Sequence, residues 1–181
     1  MRLKDKICVI TGAASGFGKG IAERFSKEGA KLIMADINKD VLKIVSKKLN
    51  QDFFHVDVSS FRSMKILSEY VLKKYGTVDI IVNNAGITHL PKPLEEVSEE
   101  EFDKVFAVNS KSVFLCGKFF VPHMKKQKKG SILNIASTAG ISPRPNLNWY
   151  NATKGWMITA TKAMAVELAP FNVRVNLLAP V

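Results

Sequence analysis

Cysteine is scarce: Cys8 and Cys116 are the only two in 181 residues, and they are not spaced as C-x-x-C. Neither a disulfide framework nor a thiolate zinc site is available, and both thiols sit in apolar runs, where buried free cysteines of a reducing compartment are expected. Histidine is scarcer for its chemistry, with three in the chain and none clustered with other metal-ligating residues, so no metal site is expected. No apolar stretch approaches the ~20 residues of a spanning helix. The opening MRLKDKICVITGAASG has a charged start and a short apolar run. That run breaks at once into glycines without a small-residue cleavage site, which argues against a secretory signal. Repeats and low-complexity tracts are missing as well. With 46% hydrophobic residues the chain can bury a substantial core, so a single cytoplasmic domain over residues 1–181 is expected.

Acidic residues are also in deficit, 16 against 27 Lys and Arg, for a formal charge of +11. Such an excess suits nucleic acid, an anionic membrane surface or phosphorylated ligands. Its distribution favours a plainer reading. Lysines are scattered over helix faces, and the one dense run, KKQKK at 125–129, precedes Gly130, as positive charge in a last helical turn before a C′ glycine does. No interleaved aromatic pattern accompanies it. Neither a nucleic-acid nor a membrane partner is expected.

Apolar runs of strand length alternate with helical periodicity throughout. The strands are read at 6–11, 31–36, 53–58, 78–83, 131–137 and 173–179, and the helices at 17–28, 38–49, 61–75, 99–127 and 150–170. Repeated βα units of this kind wind around a parallel sheet, so the expected fold is α/β, a doubly wound Rossmann sheet in the order 3-2-1-4-5-6. Ligands of such sheets lie beyond the carboxyl ends of the strands, so functional residues should follow strands.

Several do. The first strand ends in TGAASGFG, with glycines at 12, 16 and 18 leading into a helix, where backbone N–H groups and the helix dipole can hold a pyrophosphate. Asp36 closes the second strand, where a carboxylate accepts ribose hydroxyls and repels a 2′-phosphate, pointing to NAD over NADP. Its alternative role is to cap the helix beginning near Asn38. No basic residue stands at Ser15 or Ile37, the positions that would face such a phosphate. Asp57 follows strand three, placed for an adenine amino group or simply for the turn. NNAG at 83–86 follows strand four: its asparagines can tie neighbouring strands, and Gly86 allows close backbone approach. Asn109 interrupts an apolar helix, and the bland account is a hydrogen bond to its own backbone. In WYNATKG, Tyr150 and Lys154 stand four apart, on one helix face.

Together these residues resemble the short-chain dehydrogenase/reductase superfamily over essentially the whole chain: TGAASGFG, Asp36, the DV pair Asp57 and Val58, NNAG, Asn109, Ser137 in NIASTAG, YNATK, and RVNLLAP. The resemblance implies a hydride-transferring oxidoreductase for a small secondary alcohol or ketone. It makes Tyr150 the proton carrier, Ser137 the residue orienting the reacting oxygen, Lys154 the holder of the nicotinamide ribose and Asn109 the support of a water relay. The cofactor would contact Gly12, Ser15, Gly16, Phe17, Gly18, Asp36, Ile37, Asp57, Val58, Asn84, Ala85, Gly86, Tyr150, Lys154 and Pro180. A phenol ordinarily titrates near pH ~10. A cation at ~4 Å supplies roughly 4 kcal/mol towards its ionisation at an effective dielectric near 20, so Lys154 suffices in principle. Homodimers or homotetramers through the helices near 99–127 and 150–170 are implied too. The substrate pocket would be bordered by 88–97 and 141–149, with His89, Arg144 and Trp149 as possible contacts.

Two further readings follow from the same residues. One is an NADP-dependent 3-oxoacyl carrier-protein reductase, which the positive charge suits and Asp36 disfavours. The other arises at the C-terminus, where Val181 stands in place of the glycine usual after Pro180: relative to the family, the substrate lid and last strand are expected to be missing, leaving a nucleotide-binding fragment without turnover.

Overall fold

The computed structural model describes residues 1–181. Its six parallel strands are β1 (Ile7–Thr11), β2 (Lys31–Asp36), β3 (Asp52–His55), β4 (Ile80–Asn83), β5 (Gly130–Ile135) and β6 (Val173–Leu178), in the order β3-β2-β1-β4-β5-β6. This is the order expected from the sequence. Strands buried on both faces need apolar residues at both parities, and side chains alternate between two layers. Val9, Ile33, Ile81 and Ile132 face one layer, while Cys8, Ile10, Leu32, Met34 and Val82 face the other. Each such side chain contributes about 1.5–3 kcal/mol by leaving water. Both cysteines are buried and unpaired.

The helices are α1 (Gly16–Lys27), α2 (Lys39–Leu49), α3 (Phe61–Tyr75), α4 (Glu99–Phe106), α5 (Ser112–Gln127) and α6 (Asn148–Leu168). Side-chain caps start three of them: Asn38 Oδ1 accepts from Val41 N, Ser60 Oγ from Ser63 N, and Ser98 forms a reciprocal capping box with Glu101. Asn50, Gly76 and Lys128 stop α2, α3 and α5 in the left-handed conformation. The terminator of α5 is therefore Lys128 and not Gly130, which opens β5. A Cβ on Gly130 would lie 2.7 Å from Met124 Sδ, so that glycine serves close packing.

Three boundaries differ from the sequence reading in ways that matter for function. β3 ends at His55, because beyond Asp36 there is no strand left to pair with; Val56 N still reaches Asp36 O at 2.9 Å, and Asp57 and Val58 become loop. β5 ends at Ile135, and Ser137 opens a 3-10 turn at Thr138–Gly140 instead of ending the strand. The helix read as continuous from 99 to 127 carries a π-turn at Ala107–Lys111, between α4 and α5, with Asn109 inside it. Such turns recur at functional sites. No helix is long and apolar enough to cross a membrane.

Candidate active site

The sheet order reverses between β1 and β4, and a cleft of ≈ 550 Å³ opens there, lined from β1, β2, β3 and β4 by residues that follow each strand. Gly12, Ser15, Gly16, Phe17, Asp36, Ile37, Asp57, Val58, Asn84, Ala85 and Gly86 all line it, as the motifs suggested. Val56, Ile87, Lys104 and Val108 line it too, and sequence reading missed them. Lys104 comes from α4 and Val108 from the π-turn that follows it.

The glycine turn is built by exclusion. Gly12 takes φ +65°, and a Cβ there would meet Asn84 Nδ2 at 2.7 Å; one on Gly18 would meet Gly12 O at 2.1 Å. Asn84 fills that space, donating to Thr11 O at 2.9 Å and Gly12 O at 3.2 Å. Gly18 is thus buried beneath the turn and does not reach the cleft. Gly16, at φ +52°, has open space above it. Ser15 caps α1 without a side-chain hydrogen bond, and the first turn of α1 contains no carboxylate. The first N–H groups of α1 are therefore free for an anion, and the turn fits a pyrophosphate.

Asp36 is held at the cleft: Oδ2 accepts from Ala14 N at 3.0 Å and Oδ1 from Asn38 N at 2.9 Å. It does not cap α2, since Asn38 does so with its own side chain. Asp57 serves its turn, Oδ1 accepting from Ser59 N at 2.9 Å and Ser59 Oγ at 2.7 Å, while still lining the cleft. Asn83 ties β4 to β5 through Asn134 Oδ1 at 2.8 Å, and Asn134 donates on to Thr161 Oγ of α6 at 2.8 Å.

At the β4 end the cleft meets α6. Asn109 is fully buried and bonds away from its own helix: Oδ1 accepts from Ile87 N at 2.9 Å, and Nδ2 donates to Ile87 O at 2.9 Å and Thr153 Oγ at 3.0 Å. This replaces the bland account of a bond to its own backbone. The π-turn lets one side chain clamp the NNAG loop to the helix carrying Tyr150 and Lys154. Lys154 Nζ donates to Ile135 O at 2.9 Å and lies 5.7 Å from the centre of the Tyr150 ring. A Cβ on Gly86 would lie 3.4 Å from both Lys154 Nζ and Asn109 Oδ1, so this glycine joins the cleft to the lysine. Burial pushes the Lys154 ammonium down to about 8. At neutral pH it stays about tenfold in favour of the cation.

Ser137 is buried and its Oγ accepts from Ala139 N at 3.1 Å. Pro180 sits beside it, its carbonyl accepting from Thr138 N at 3.0 Å. Neither lines the cleft wall, and nor do Tyr150 and Lys154, but Lys154 reaches its end beside Gly86. A residue absent from the sequence reading sets their spacing. A Cβ on Gly140 would lie 2.6 Å from the Lys154 carbonyl carbon and 2.7 Å from Gly155 N, so the Ser137 turn touches the α6 backbone directly. Gly140→Ala should push α6 away from Ser137. Because displacements of ~1 Å cost about 10²-fold, kcat/KM should fall by at least tenfold while saturable cofactor binding persists; an unchanged kcat/KM would show that the contact does not set the geometry.

Of the possible substrate contacts, His89 is buried with Nδ1 against Leu90 O at 2.8 Å. Trp149 packs edge-on against Phe102 at 5.4 Å. Arg144 is exposed and its carbonyl accepts from Asn151 Nδ2 at 2.7 Å.

A sheet wound in this order takes dinucleotides at its switch point. A phenol and an ammonium at the end of such a cleft equip it for moving a proton while the cofactor takes or gives a hydride. The class so defined is the nicotinamide-dependent oxidoreductases. The chain belongs to the short-chain dehydrogenase family, whose model matches residues 6–181, and it is an NAD(P)-dependent dehydrogenase/reductase of CH–OH groups. It is 43% identical over 185 residues to the 3-oxoacyl-(acyl-carrier-protein) reductase FabG of Thermotoga maritima, covering 99% of this chain and 75% of that one. Among solved structures it resembles a 3-ketoacyl-(acyl-carrier-protein) reductase from Brucella melitensis complexed with NADH, with TM-score 0.96 and 44% identity over 98% of this chain and 75% of that one. A metagenomic short-chain oxidoreductase in complex with NADP superposes with TM-score 0.96 at 31% identity, over 100% of this chain and 84% of that one.

Proposed function

We propose that the protein transfers a hydride between NAD(H) and a secondary alcohol or ketone, with Tyr150 as general acid and base. The observation that carries this reading is the Lys154 ammonium 5.7 Å from the Tyr150 ring, at the end of the nucleotide cleft. Bound nicotinamide supplies the hydride acceptor or donor. Tyr150 takes the proton from the alcohol, or returns it to the carbonyl oxygen. Ser137 orients that oxygen, and its Oγ keeps donor capacity because it now only accepts. Lys154 favours the phenolate, by about 3–4 kcal/mol for a cation ~4–6 Å from the oxygen at an effective dielectric near 20, and it holds the nicotinamide ribose. Asn109 fixes α6 against the NNAG loop and supports the water relay that returns protons to Lys154. At the other end Gly12, Ser15, Gly16 and Phe17 hold the pyrophosphate, Asp57 and Val58 the adenine, and Asp36 with Ile37 the ribose.

Asp36 carries the preference for NAD. Asp36→Ala should weaken NADH binding about tenfold or more, the usual cost of losing a hydrogen bond to a charged group. It should also relieve the rejection of NADP, and an unchanged ratio of the two affinities would refute the assignment. The reading as a whole is tested by NADH formation from a panel of secondary alcohols. Steady turnover supports it, whereas saturable NADH binding without turnover favours a nucleotide-binding protein.

The likeness to two acyl-carrier-protein reductases supports a second reading, in which the substrate is a 3-oxoacyl thioester; reduction of such a substrate in preference to free ketones would select it. We further propose a homodimer or homotetramer. An apolar groove between α5 and α6 includes Val113, Phe114, Val121, Trp156 and Met164, and Phe114 is 55% exposed.

A further inference from the structure

The positive charge that looks scattered in the sequence is gathered at one pole of the fold. In a parallel sheet all strands begin, and the helices that cross back end, on the same side. When each element is divided at its midpoint, with α4, the π-turn and α5 taken as one continuous helix, the half holding the strand starts has 17 of the 27 Lys and Arg but 7 of the 16 Asp and Glu. The half holding the cleft has 10 and 9. Ten of the eleven net charges thus lie opposite the active site.

Six of the seven carboxylates of that pole are already engaged, Glu23 being the exception. Asp79 pairs with Lys129 at 2.6 Å, Glu28 with Arg24 at 2.7 Å, Glu167 with Lys125 at 3.0 Å, and Asp52 with Lys74. Lys27, Lys47, Lys48, Lys73, Lys126 and Lys128, in or just past the last turns of α1, α2, α3 and α5, are exposed and have no ion-pair partner. Helix dipoles explain only part of the excess. Five helices ending here present the equivalent of about 2.5 negative charges, about a quarter of the surplus.

We propose that this pole is a docking face for an anionic lipid surface, on which the protein rests with its cleft turned outward. The cations are spread over a broad end of the molecule: six strands at ~4.8 Å spacing with a helix layer on each side make a face roughly 25–30 Å across. A planar anionic surface can meet all of them at once. A nucleic-acid duplex, by contrast, would touch such a face along one line. The cations are mostly lysines, which act as compact point charges; the arginine forks suited to bidentate phosphate recognition are few. The contact is peripheral, since no helix can cross a membrane, and it leaves the site accessible because strand starts and strand ends face opposite ways.

The test is co-sedimentation of the full chain with vesicles of phosphatidylcholine alone or with about 30% phosphatidylglycerol, from low to high salt. Each lysine near such a surface is worth about fivefold in binding. Binding should require the anionic lipid and fall steeply with salt, as screening shortens the Debye length. The quadruple variant Lys47→Gln, Lys48→Gln, Lys126→Gln, Lys128→Gln should bind at least about a hundredfold more weakly, by the same per-lysine figure. A control altered in the other half, Lys39→Gln with Arg62→Gln, should bind as the parent does. Both variants should keep the parent's cofactor affinity, which shows that they fold. No binding to anionic vesicles at low salt, equal losses in the two variants, or tighter binding to duplex DNA than to vesicles at the same salt would each overturn the proposal.

Discussion

Replacing Tyr150 by phenylalanine is expected to lower kcat/KM for alcohol oxidation by about 10³-fold, within the usual contribution of a positioned acid–base group, while leaving NADH affinity and melting temperature nearly unchanged. The reasons are local. Tyr150 lies in the first turn of α6, half-buried, and its hydroxyl makes no hydrogen bond to the protein that the substitution would break. Its removal therefore costs the fold little. What is lost is the phenol oxygen carried beside the Lys154 ammonium at the end of the nucleotide cleft. Parallel measurements of turnover and cofactor titration separate the outcomes: a loss of both would mean that the substitution disturbs the cleft, and retention of turnover would mean that another group carries the proton.

Replacing Lys154 by methionine should do something less usual: abolish activity and stabilise the protein. The lysine is 5% exposed, and burial holds its ammonium at about 8 against an ordinary 10.5. Its charged form is therefore disfavoured in the fold. Below about pH 8 both folded and unfolded chains carry the proton, and the fold bears a roughly constant cost of ~3 kcal/mol. Between pH 8 and 10.5 the unfolded chain is protonated and the folded one is not, so stability rises with pH across that window. Methionine removes the burial cost, although the hydrogen bond to Ile135 O is lost with it. The net expectation is a gain of about 1–3 kcal/mol at pH 7, or ~5 °C in melting temperature for a chain of this size. The rise in stability between pH 8 and 10.5 should vanish as well. Thermal melts at pH 7, 8 and 10 check this; a destabilised variant, or one that keeps the alkaline rise, would show that the lysine is not held in the fold at a cost.

Much of this architecture was legible in the sequence because its causes are local. The strands β1, β2 and β4 are continuous apolar runs, β6 alternates apolar and polar residues, and Asn38, Ser60 and Ser98 announce helix starts by their capping chemistry. The cleft was legible for a topological reason, since each lining motif directly follows a strand. What stayed hidden depends on contacts between distant segments. Asn109 reads as an awkward polar residue in a helix until the π-turn sets it against Ile87 and Thr153. Gly140 reads as a loop residue until the Lys154 carbonyl is found beside it. Lys104 belongs to a helix whose approach to the cleft no local pattern encodes. The end of β3 was misplaced because Val56 and Val58 look like strand residues, and only the length of β2 decides where pairing stops.

The central claim is that Tyr150 and Lys154 act as a single proton-handling unit, and a double-mutant cycle in kcat at saturating cofactor tests it most directly. If the lysine works through the phenol, Tyr150→Phe with Lys154→Met should be scarcely slower than Tyr150→Phe alone, as for groups that act together. Losses that multiply, so that the double variant falls by the product of the two single effects, would contradict it.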